Sequence, residues 1–136
     1  IRFSSISPSD IGNFSKCTAR AKSRLAVEAV QFYSAQISIA ILHIHSHGIM
    51  HRDIKGSNVV LDELGNAILI DFGCATELKK GRTNTICGTA HAMAPEMVLS
   101  IRRSDFNDPE ATMNKGYGYG VDWWALGVLC YEMVMG

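Results

Sequence analysis

Apolar residues recur at intervals of three and four between residues 21 and 47, which is the period of an α-helix. The first apolar stripe comprises Val30, Tyr33, Ile37, Ile41 and Ile44, and the second comprises Phe32, Ala35, Ile39 and Leu42. Two stripes predict a helix that is largely buried. Gly48 is placed to end this helix, because glycine readily adopts the left-handed conformation at helix ends.

Two short apolar runs then predict a β-hairpin. Val59 to Leu61 and Ala67 to Ile70 flank a polar turn that contains Gly65, as is typical of paired antiparallel strands. The polar residues 49 to 58 predict a loop before this hairpin.

A long loop is predicted after the hairpin, because residues 71 to 96 contain three glycines and no sustained period. Loops of that length inside a compact domain are usually functional. Residues 101 to 115 predict a polar surface segment, and the apolar run from Val121 predicts a second buried helix.

The composition excludes several function classes. Hydrophobic residues make up 47% of the 136 residues, enough for a packed core and too many for a disordered tail. Thirteen basic residues balance thirteen acidic ones, so no net charge indicates a nucleic acid partner. The longest apolar stretch, Ile37 to Leu42, is too short to cross a bilayer. We therefore expect neither a nucleic acid partner nor a membrane segment.

The cysteines and the chain ends add two expectations. The four cysteines lie far apart, at Cys17, Cys74, Cys87 and Cys130. This spacing favours reduced thiols in an intracellular protein, cytoplasmic or nuclear, over a disulfide framework or a zinc site. For Cys74 we expect a buried, inert thiol. The chain lacks an initial Met and stops at Gly136 in or just after an apolar run, so we expect missing sequence at both ends.

Three polar clusters lie at the predicted junctions, namely His51 to Asn58, Asp71 to Gly73, and Ala94 to Glu96. Within them, Asp53, Lys55, Asn58 and Asp71 suit phosphoryl transfer, a reaction that depends on metal ions and cations placed around a phosphate. The oxygens of Asn58 and Asp71 are ligands that Mg²⁺ accepts. Asp53 can accept the proton of an attacking hydroxyl, and Lys55 can neutralise charge on the moving phosphoryl group.

These motifs, in this order, resemble the catalytic loop, metal loop and activation-segment end of eukaryotic protein kinases. The segment Val121 to Leu129 resembles the central helix of the kinase large lobe. Phe32 to Ile49 resembles the helix before the catalytic loop in the group of the cyclic-nucleotide-dependent kinases. The resemblance covers roughly residues 20 to 136. It implies an α+β fold: a mainly helical large lobe with a short β-hairpin, incomplete at both ends.

The resemblance also implies roles for individual residues. Asp53 matches the catalytic base, and Lys55 matches the lysine that contacts the γ-phosphate in Ser/Thr kinases. Asn58 and Asp71 match the two metal-binding positions, and Val60 matches the floor of the adenine pocket. Two further expectations are structural: His51 and Phe72 stack, and Asp122 braces the catalytic-loop backbone.

The activation segment carries the predicted regulatory residues. Thr85 matches the phosphorylation site, Arg52 the cation that neutralises the added phosphate, and Thr89 the threonine that contacts the catalytic aspartate. The segment departs from the family pattern at Gly88 to Met93, where the usual Pro-Glu-Tyr is absent. Residues 101 to 114 match no family position and are expected to be an insertion within a partial kinase domain spanning residues 1 to 136.

The resemblance implies a protein serine/threonine kinase with ATP and Mg²⁺ as cofactors and with proteins bearing Ser or Thr as substrates. The alternative is a non-catalytic pseudokinase-like scaffolding module. The four intact polar residues favour the enzyme, and the altered segment at Gly88 to Met93 favours the scaffold. The substrate, regulator and oligomeric state do not follow from the sequence.

The chain lacks a glycine-rich loop and a strand lysine of the V-A-I-K type, which belong to the small lobe. We therefore expect residues 1 to 136 alone to be inactive. We also expect part of the last helix to be exposed, at Trp123, Trp124, Leu129 and Met133. The three histidines His43, His45 and His47 are expected to be polar positions near a helix end, since a spacing of two places them on different faces.

Overall fold

The computed structural model describes residues 25–78, 81–104 and 116–136. Three helices are present there: α1 Val27–Ser46, α2 Pro95–Ser104 and α3 Gly120–Met135. The strands are β1 Ile49–Met50, β2 Val59–Leu61, β3 Ala67–Leu69 and β4 Thr76–Glu77, with 3₁₀ turns at Gly56–Asn58, Phe72–Cys74 and Ala90–Ala92.

The main core forms where α1 packs against α3 and the hairpin. One stripe of α1 supplies buried residues at helical spacing, among them Tyr33, Ile37 and Ile41. From α3, Leu129 and Met133 meet this stripe in the same apolar cluster. The hairpin therefore lies against α1 beside the packed pair of helices.

Strands β2 and β3 form the predicted antiparallel hairpin, with Val59 opposite Leu69 and Leu61 opposite Ala67. The Asp62 carboxylate closes the turn by accepting from the backbone N–H groups of Leu64 and Asn66 at 2.9 and 2.8 Å. Gly65 has a φ of +84°, which a residue without Cβ adopts at little cost. The hairpin prediction is confirmed, and the structure ends β3 at Leu69.

A second, two-stranded sheet pairs β1 with β4, placing Met50 opposite Thr76. It lies beside a second apolar cluster, whose buried members are Met50, Leu78, Ala94, Met97, Tyr117 and Val121. The loop predicted over residues 49 to 58 is therefore wrong at its start. Two-residue strands carry no periodic signal, and their pairing depends on a contact between distant segments.

The helix predictions need three corrections. Helix α1 starts at Val27, and residues 21 to 24 lie outside the described part of the chain. Its second apolar stripe is not buried, since Phe32, Ile39 and Leu42 are exposed. Residues 101 to 104 continue helix α2, whereas the rest of the predicted insertion lies outside the described residues.

Exposure of the last helix follows the prediction only in part. Trp123 and Trp124 are 38% and 49% exposed, as expected. Leu129 and Met133 are buried, so the prediction is wrong for them, because these side chains face α1.

Helix α1 is long and apolar enough to span a membrane by length and composition alone. The same test is passed by core helices of soluble proteins, and α1 packs one stripe into the main core. The expectation of no membrane segment stays a prediction.

Candidate active site

The segment after β1 is anchored by one buried carboxylate. Asp122, in the first turn of α3, is fully buried. Its two oxygens accept hydrogen bonds from the backbone N–H groups of His51 at 2.9 Å and Arg52 at 2.7 Å. Arg52 has a φ of +71°, a strained value for a residue with a side chain that surrounding contacts must hold. The predicted brace by Asp122 is confirmed.

A third group completes this anchor. Nε2 of His45, from the last turn of α1, lies 2.7 Å from Oδ2 of Asp122. The His45 ring also lies 4.5 Å from the Tyr119 ring, between their centroids. The three donors come from residues 45, 51 and 52, so the end of α1 and the start of the loop meet α3 at one carboxylate.

His51, at the start of the catalytic loop, is fully buried. Its Nδ1 accepts from the backbone N–H of Asp53 at 3.3 Å, which leaves Nε2 to donate to the Ile70 carbonyl at 3.2 Å. Burial lowers the pKa of His51, although nearby carboxylates oppose this shift. The neutral ring stacks edge-on against Phe72, with centroids 4.9 Å apart, as predicted.

Asp53 lies at the centre of a hydrogen-bonded cluster. Thr89 donates its hydroxyl to Oδ1 of Asp53 at 2.6 Å, and Lys55 Nζ donates to that same hydroxyl at 2.7 Å. Lys55 Nζ also lies 2.9 Å from Oδ2 of Asp53. The amide of Asn58 donates to Oδ2 and to the Asp53 carbonyl, at 2.9 and 2.8 Å. The predicted contact between Thr89 and Asp53 is confirmed.

This cluster sets the charge of Asp53. Burial on its own would raise the pKa of the carboxyl, but hydrogen bonds from Thr89, Lys55 and Asn58 together lower the pKa below its ordinary value. Asp53 is consequently an anionic carboxylate at neutral pH, with oxygens directed at donors.

The two predicted metal ligands differ in their surroundings. Asn58 is buried and uses its amide N–H groups on Asp53, and Oδ1 accepts no hydrogen bond among the described residues. Asp71 is exposed and accepts only from the Gly73 N–H, at 3.1 Å, among the described contacts.

The metal site is thus compatible with Mg²⁺ but is not preassembled by protein contacts. Asn58 offers an amide oxygen and Asp71 offers a carboxylate, which are the hard ligands that Mg²⁺ prefers. No hydrogen bond joins these two side chains in the described structure, and no group of three His, Cys, Asp or Glu residues there could hold a metal. Asp71 has a φ of +62°, which is unusual for a non-glycine residue.

Val60 lies at the middle of β2, opposite Ile68 on β3. Its neighbours Val59 and Leu61 face the core and are buried, whereas Val60 is half-buried and Ile68 is exposed. The alternation of a strand therefore gives the hairpin an open apolar face, which fits the predicted adenine floor.

Arg52 is hydrogen-bonded to Thr85, in the predicted activation segment. Nη1 of Arg52 donates to the Thr85 hydroxyl at 2.7 Å and to the Thr85 carbonyl at 3.0 Å. Its Nε donates to the Cys74 carbonyl at 2.6 Å. The structure thus brings together the predicted phosphorylation site and the predicted cation, with the Thr85 side chain exposed to solvent.

The expectation for two cysteines is wrong. Cys74 and Cys87 are joined by a disulfide bond, and both are half-buried rather than inert core thiols. Thirteen positions separate them in sequence, yet their Cα atoms lie 5.7 Å apart, a distance suited to a disulfide. Linear spacing could not show this, because the turn at Phe72–Cys74 and the return of the segment past Arg52 create the proximity.

Comparison with known proteins agrees with this geometry. Residues 9–136 match the protein kinase domain. The chain belongs to the protein kinase family. Its helices and small antiparallel sheets fit the kinase-like fold expected from the motifs.

Several curated kinases are similar to the chain. It is 44% identical over 115 residues to the atypical protein kinase C of Drosophila melanogaster, covering 83% of this chain and 17% of that protein. Against the human cAMP-dependent protein kinase catalytic subunit PRKX, identity is 42% over 117 residues, covering 86% and 28%. For the serine/threonine-protein kinase AtPK1/AtPK6 of Arabidopsis thaliana, identity is 39% over 110 residues, covering 80% and 21%. The chain thus spans less than a third of each relative.

Two residues of this candidate site were not identified from the sequence. Tyr117 is buried, donates its hydroxyl to the Thr85 carbonyl, and lies 3.2 Å from Nη1 of Arg52. Its backbone pairs with Thr83 through two 3.0 Å hydrogen bonds. No local pattern in the sequence marked Tyr117, because its partners Thr85 and Arg52 lie 32 and 65 positions away.

The other missed residue is His45, which the sequence left among the polar positions of a helix end. The His43 and His47 rings pack on each other, 4.6 Å apart, whereas His45 turns inward to Asp122. A spacing of two places neighbouring histidines on different helix faces, and that spacing alone could not tell which face was inner.

Proposed function

We propose that the protein is a serine/threonine kinase that transfers the γ-phosphoryl group of ATP to Ser or Thr hydroxyls of proteins. One observation carries this proposal: the Thr89 hydroxyl is hydrogen-bonded to both the Asp53 carboxylate and the Lys55 ammonium. This anion and cation already hold an alcohol of the same chemistry as a Ser or Thr substrate. The family supports kinase chemistry in general.

In the proposed reaction, Asp53 accepts a hydrogen bond from the substrate hydroxyl and directs its oxygen at the γ-phosphorus. The new O–P bond forms as the bond between the γ-phosphorus and the ADP oxygen breaks, and the hydroxyl proton passes to Asp53. Because the hydrogen bonds that lower its pKa make Asp53 a weak base, it orients the hydroxyl first and takes the proton late. Lys55 offsets charge on the phosphoryl group.

Asn58 and Asp71 would hold Mg²⁺, and Val60 would contact the adenine from the open face of the hairpin. Bound there, Mg²⁺ would neutralise phosphate charge. The protein's own contribution is positional: Asn58 is fixed by its two hydrogen bonds to Asp53. A ligand residue and the proposed base therefore move as one unit.

Regulation at Thr85 belongs to the same proposal. A phosphate there would add about −1.5 to −2 charges at neutral pH. Arg52 already contacts the hydroxyl that would carry it. Because the backbone N–H of Arg52 is held by Asp122, pairing with the phosphate would order the segment against a fixed point of the loop.

The test is phosphoryl transfer by the full-length protein. Asp53→Asn keeps the side-chain volume and should lower turnover by about 10²- to 10⁴-fold, the usual contribution of a general base. Glu63→Gln removes an equal charge at an exposed hairpin position and serves as the matched control. Phosphoamino-acid analysis should find phosphoserine or phosphothreonine.

Parental turnover in Asp53→Asn would refute the assigned base, and phosphotyrosine as the main product would refute the specificity. ATP binding without transfer by the parent would favour the scaffolding alternative. Residues 1 to 136 alone should show no transfer, because positioning supplies most of the rate in this reaction and the chain carries no glycine-rich loop to grip the phosphates. An intracellular location, cytoplasmic or nuclear, is part of the proposal.

A further inference from the structure

The disulfide between Cys74 and Cys87 closes a ring of residues 74 to 87. This ring contains Thr85, which contacts Arg52, and it ends two residues before Thr89, which contacts Asp53. Cys74 directly follows Gly73 of the predicted metal loop, and Cys87 lies two residues before Thr89. Both cysteines are half-buried and lie outside the two buried apolar clusters. A bond in this place ties the metal loop to the segment that contacts Asp53.

Both ends of the ring contact Arg52 of the catalytic loop, and the Cys87 end also leads to the contact with Asp53. On the Cys74 side, the carbonyl of that residue accepts from Nε of Arg52 at 2.6 Å. On the Cys87 side, Gly88 packs so closely that a Cβ there would lie 2.3 Å from the Arg52 carbonyl oxygen. The next residue, Thr89, donates to Asp53. The disulfide therefore keeps both sides of the segment against Arg52 and Asp53.

Over residues 82 to 86, the described part of the ring makes few buried contacts. Arg82, Asn84, Thr85 and Ile86 are all exposed. Among the described residues, this stretch is held by the backbone pairing of Thr83 with Tyr117, by a hydrogen bond from Arg82 to the Gly116 carbonyl, and by side-chain contacts of Arg52 and Tyr117. Exposed segments with few buried apolar contacts open locally at low free energy cost. Loss of the disulfide should therefore loosen this stretch selectively.

We propose that Cys74 and Cys87 form a reversible thiol–disulfide modification site that fixes or releases the activation segment. The effect on Thr89 and Thr85 as parts of a catalytic centre rests on the proposed kinase function. The bond itself does not depend on that function. A reversible bond is consistent with an intracellular protein, where disulfides are usually transient and sense redox conditions.

The oxidant is a small-molecule disulfide such as glutathione disulfide. The thiolate of one cysteine attacks a sulfur of glutathione disulfide, which forms a mixed disulfide and releases one glutathione thiolate. The second cysteine thiolate attacks the protein sulfur of the mixed disulfide and releases the second glutathione. The two cysteine protons end on the two glutathione molecules, so the cysteine pair loses two electrons and glutathione disulfide gains them.

The test uses the folded full-length protein equilibrated over a series of glutathione to glutathione disulfide ratios. Rapid alkylation and peptide mass spectrometry measure the fraction of protein that contains the peptide joined through Cys74 and Cys87. Amide hydrogen exchange is followed in parallel over residues 81–89. We expect the joined fraction to rise and fall reversibly with the ratio, and exchange of this segment to be at least about threefold faster in the reduced protein.

The matched control is Cys130→Ser. Cys130 is unpaired and half-buried, burial raises the pKa of its thiol, and it lies outside the proposed site. This variant should behave as the parent does. Cys74→Ser and Cys87→Ser should each show the fast exchange of the reduced parent at every ratio of glutathione to glutathione disulfide. The titration of the parent needs neither variant, so misfolding of one of them does not remove the test.

Three results would overturn the proposal: no joined peptide at any ratio, a joined peptide that reduced glutathione cannot reverse in the folded protein, or equal exchange of residues 81–89 in both states. None of these measurements requires turnover. A protein that lacks kinase activity but passes them would refute the proposed function alone. An active kinase that fails them would refute the redox site alone.

Discussion

Replacing Asp122 with Asn should destabilise the catalytic loop, because the change removes charge from a fully buried acceptor without changing its volume. In the parent, the carboxylate accepts from the backbone N–H groups of His51 and Arg52, at 2.9 and 2.7 Å. It also contacts Nε2 of His45 at 2.7 Å. An amide has one carbonyl oxygen, so it can face one of the two backbone N–H groups, and its NH₂ must face the other.

The cost can be built from these contacts. One buried N–H left without an acceptor costs about 1–3 kcal/mol. The remaining bond changes from a charged to a neutral acceptor and loses about half its strength, roughly 1 kcal/mol. His45 can accept from the new amide in its other tautomer, so no loss is assigned to it. The sum is about 2–4 kcal/mol, which is large against the total stability of about 5–15 kcal/mol that is typical of a domain.

Urea unfolding of the full-length protein, followed by the fluorescence of Trp123 and Trp124, measures this cost. With a denaturant slope of about 2 kcal/mol per molar, the midpoint should fall by roughly 1–2 M. Hydrogen exchange should also quicken at the His51 and Arg52 amides. Glu63→Gln, an exposed change of equal charge, should leave both measurements near the parent. A loss below about 0.5 kcal/mol with unchanged protection of the two amides would refute the brace.

The remaining predictions concern the metal ligand, the phosphorylation site and the buried histidine. Asp71→Asn in the full-length protein should abolish phosphoryl transfer and leave the melting temperature nearly unchanged, because Asp71 is exposed; transfer at the parental rate would contradict its assignment. Mass spectrometry of active protein should place a phosphate on Thr85, and Thr85→Ala should lower turnover by about tenfold; equal turnover would count against regulation there. Because burial lowers the pKa of His51, its contribution to stability is present above the ordinary pKa of 6.5 and is lost as pH falls through the lower folded pKa. Urea midpoints should therefore drop as the pH falls below 6.5 in the parent and drop less in His51→Phe, whereas equal slopes would show that His51 does not titrate there.

Much of the local structure followed from the order of residues. The period of α1, the strand pair around Gly65 and the apolar run of α3 were all predicted, because each pattern reflects which neighbouring side chains share a face. The errors fall where this local information ends. The second stripe of α1 has the correct period but faces outward, since a period shows that a face exists and not what covers it.

The chemistry of the candidate site was also available from the sequence. The motifs around Asp53 and Asp71 supplied the residue types and their order, and the family resemblance supplied roles for them. The structure adds the hydrogen bonds that lower the pKa of Asp53, because Thr89 reaches it from 36 positions away. Such a shift depends on distances between groups, which residue order does not contain.

The tertiary structure alone decided which distant residues meet. Tyr117 lies against Arg52 and Thr85, His45 turns to Asp122 across 77 positions, and Cys74 joins Cys87. None of these contacts has a local signal, because each joins residues that are far apart in sequence and that only the tertiary fold brings together. The sequence determined the elements and the reactive groups, and packing over long separations determined the partners of those groups.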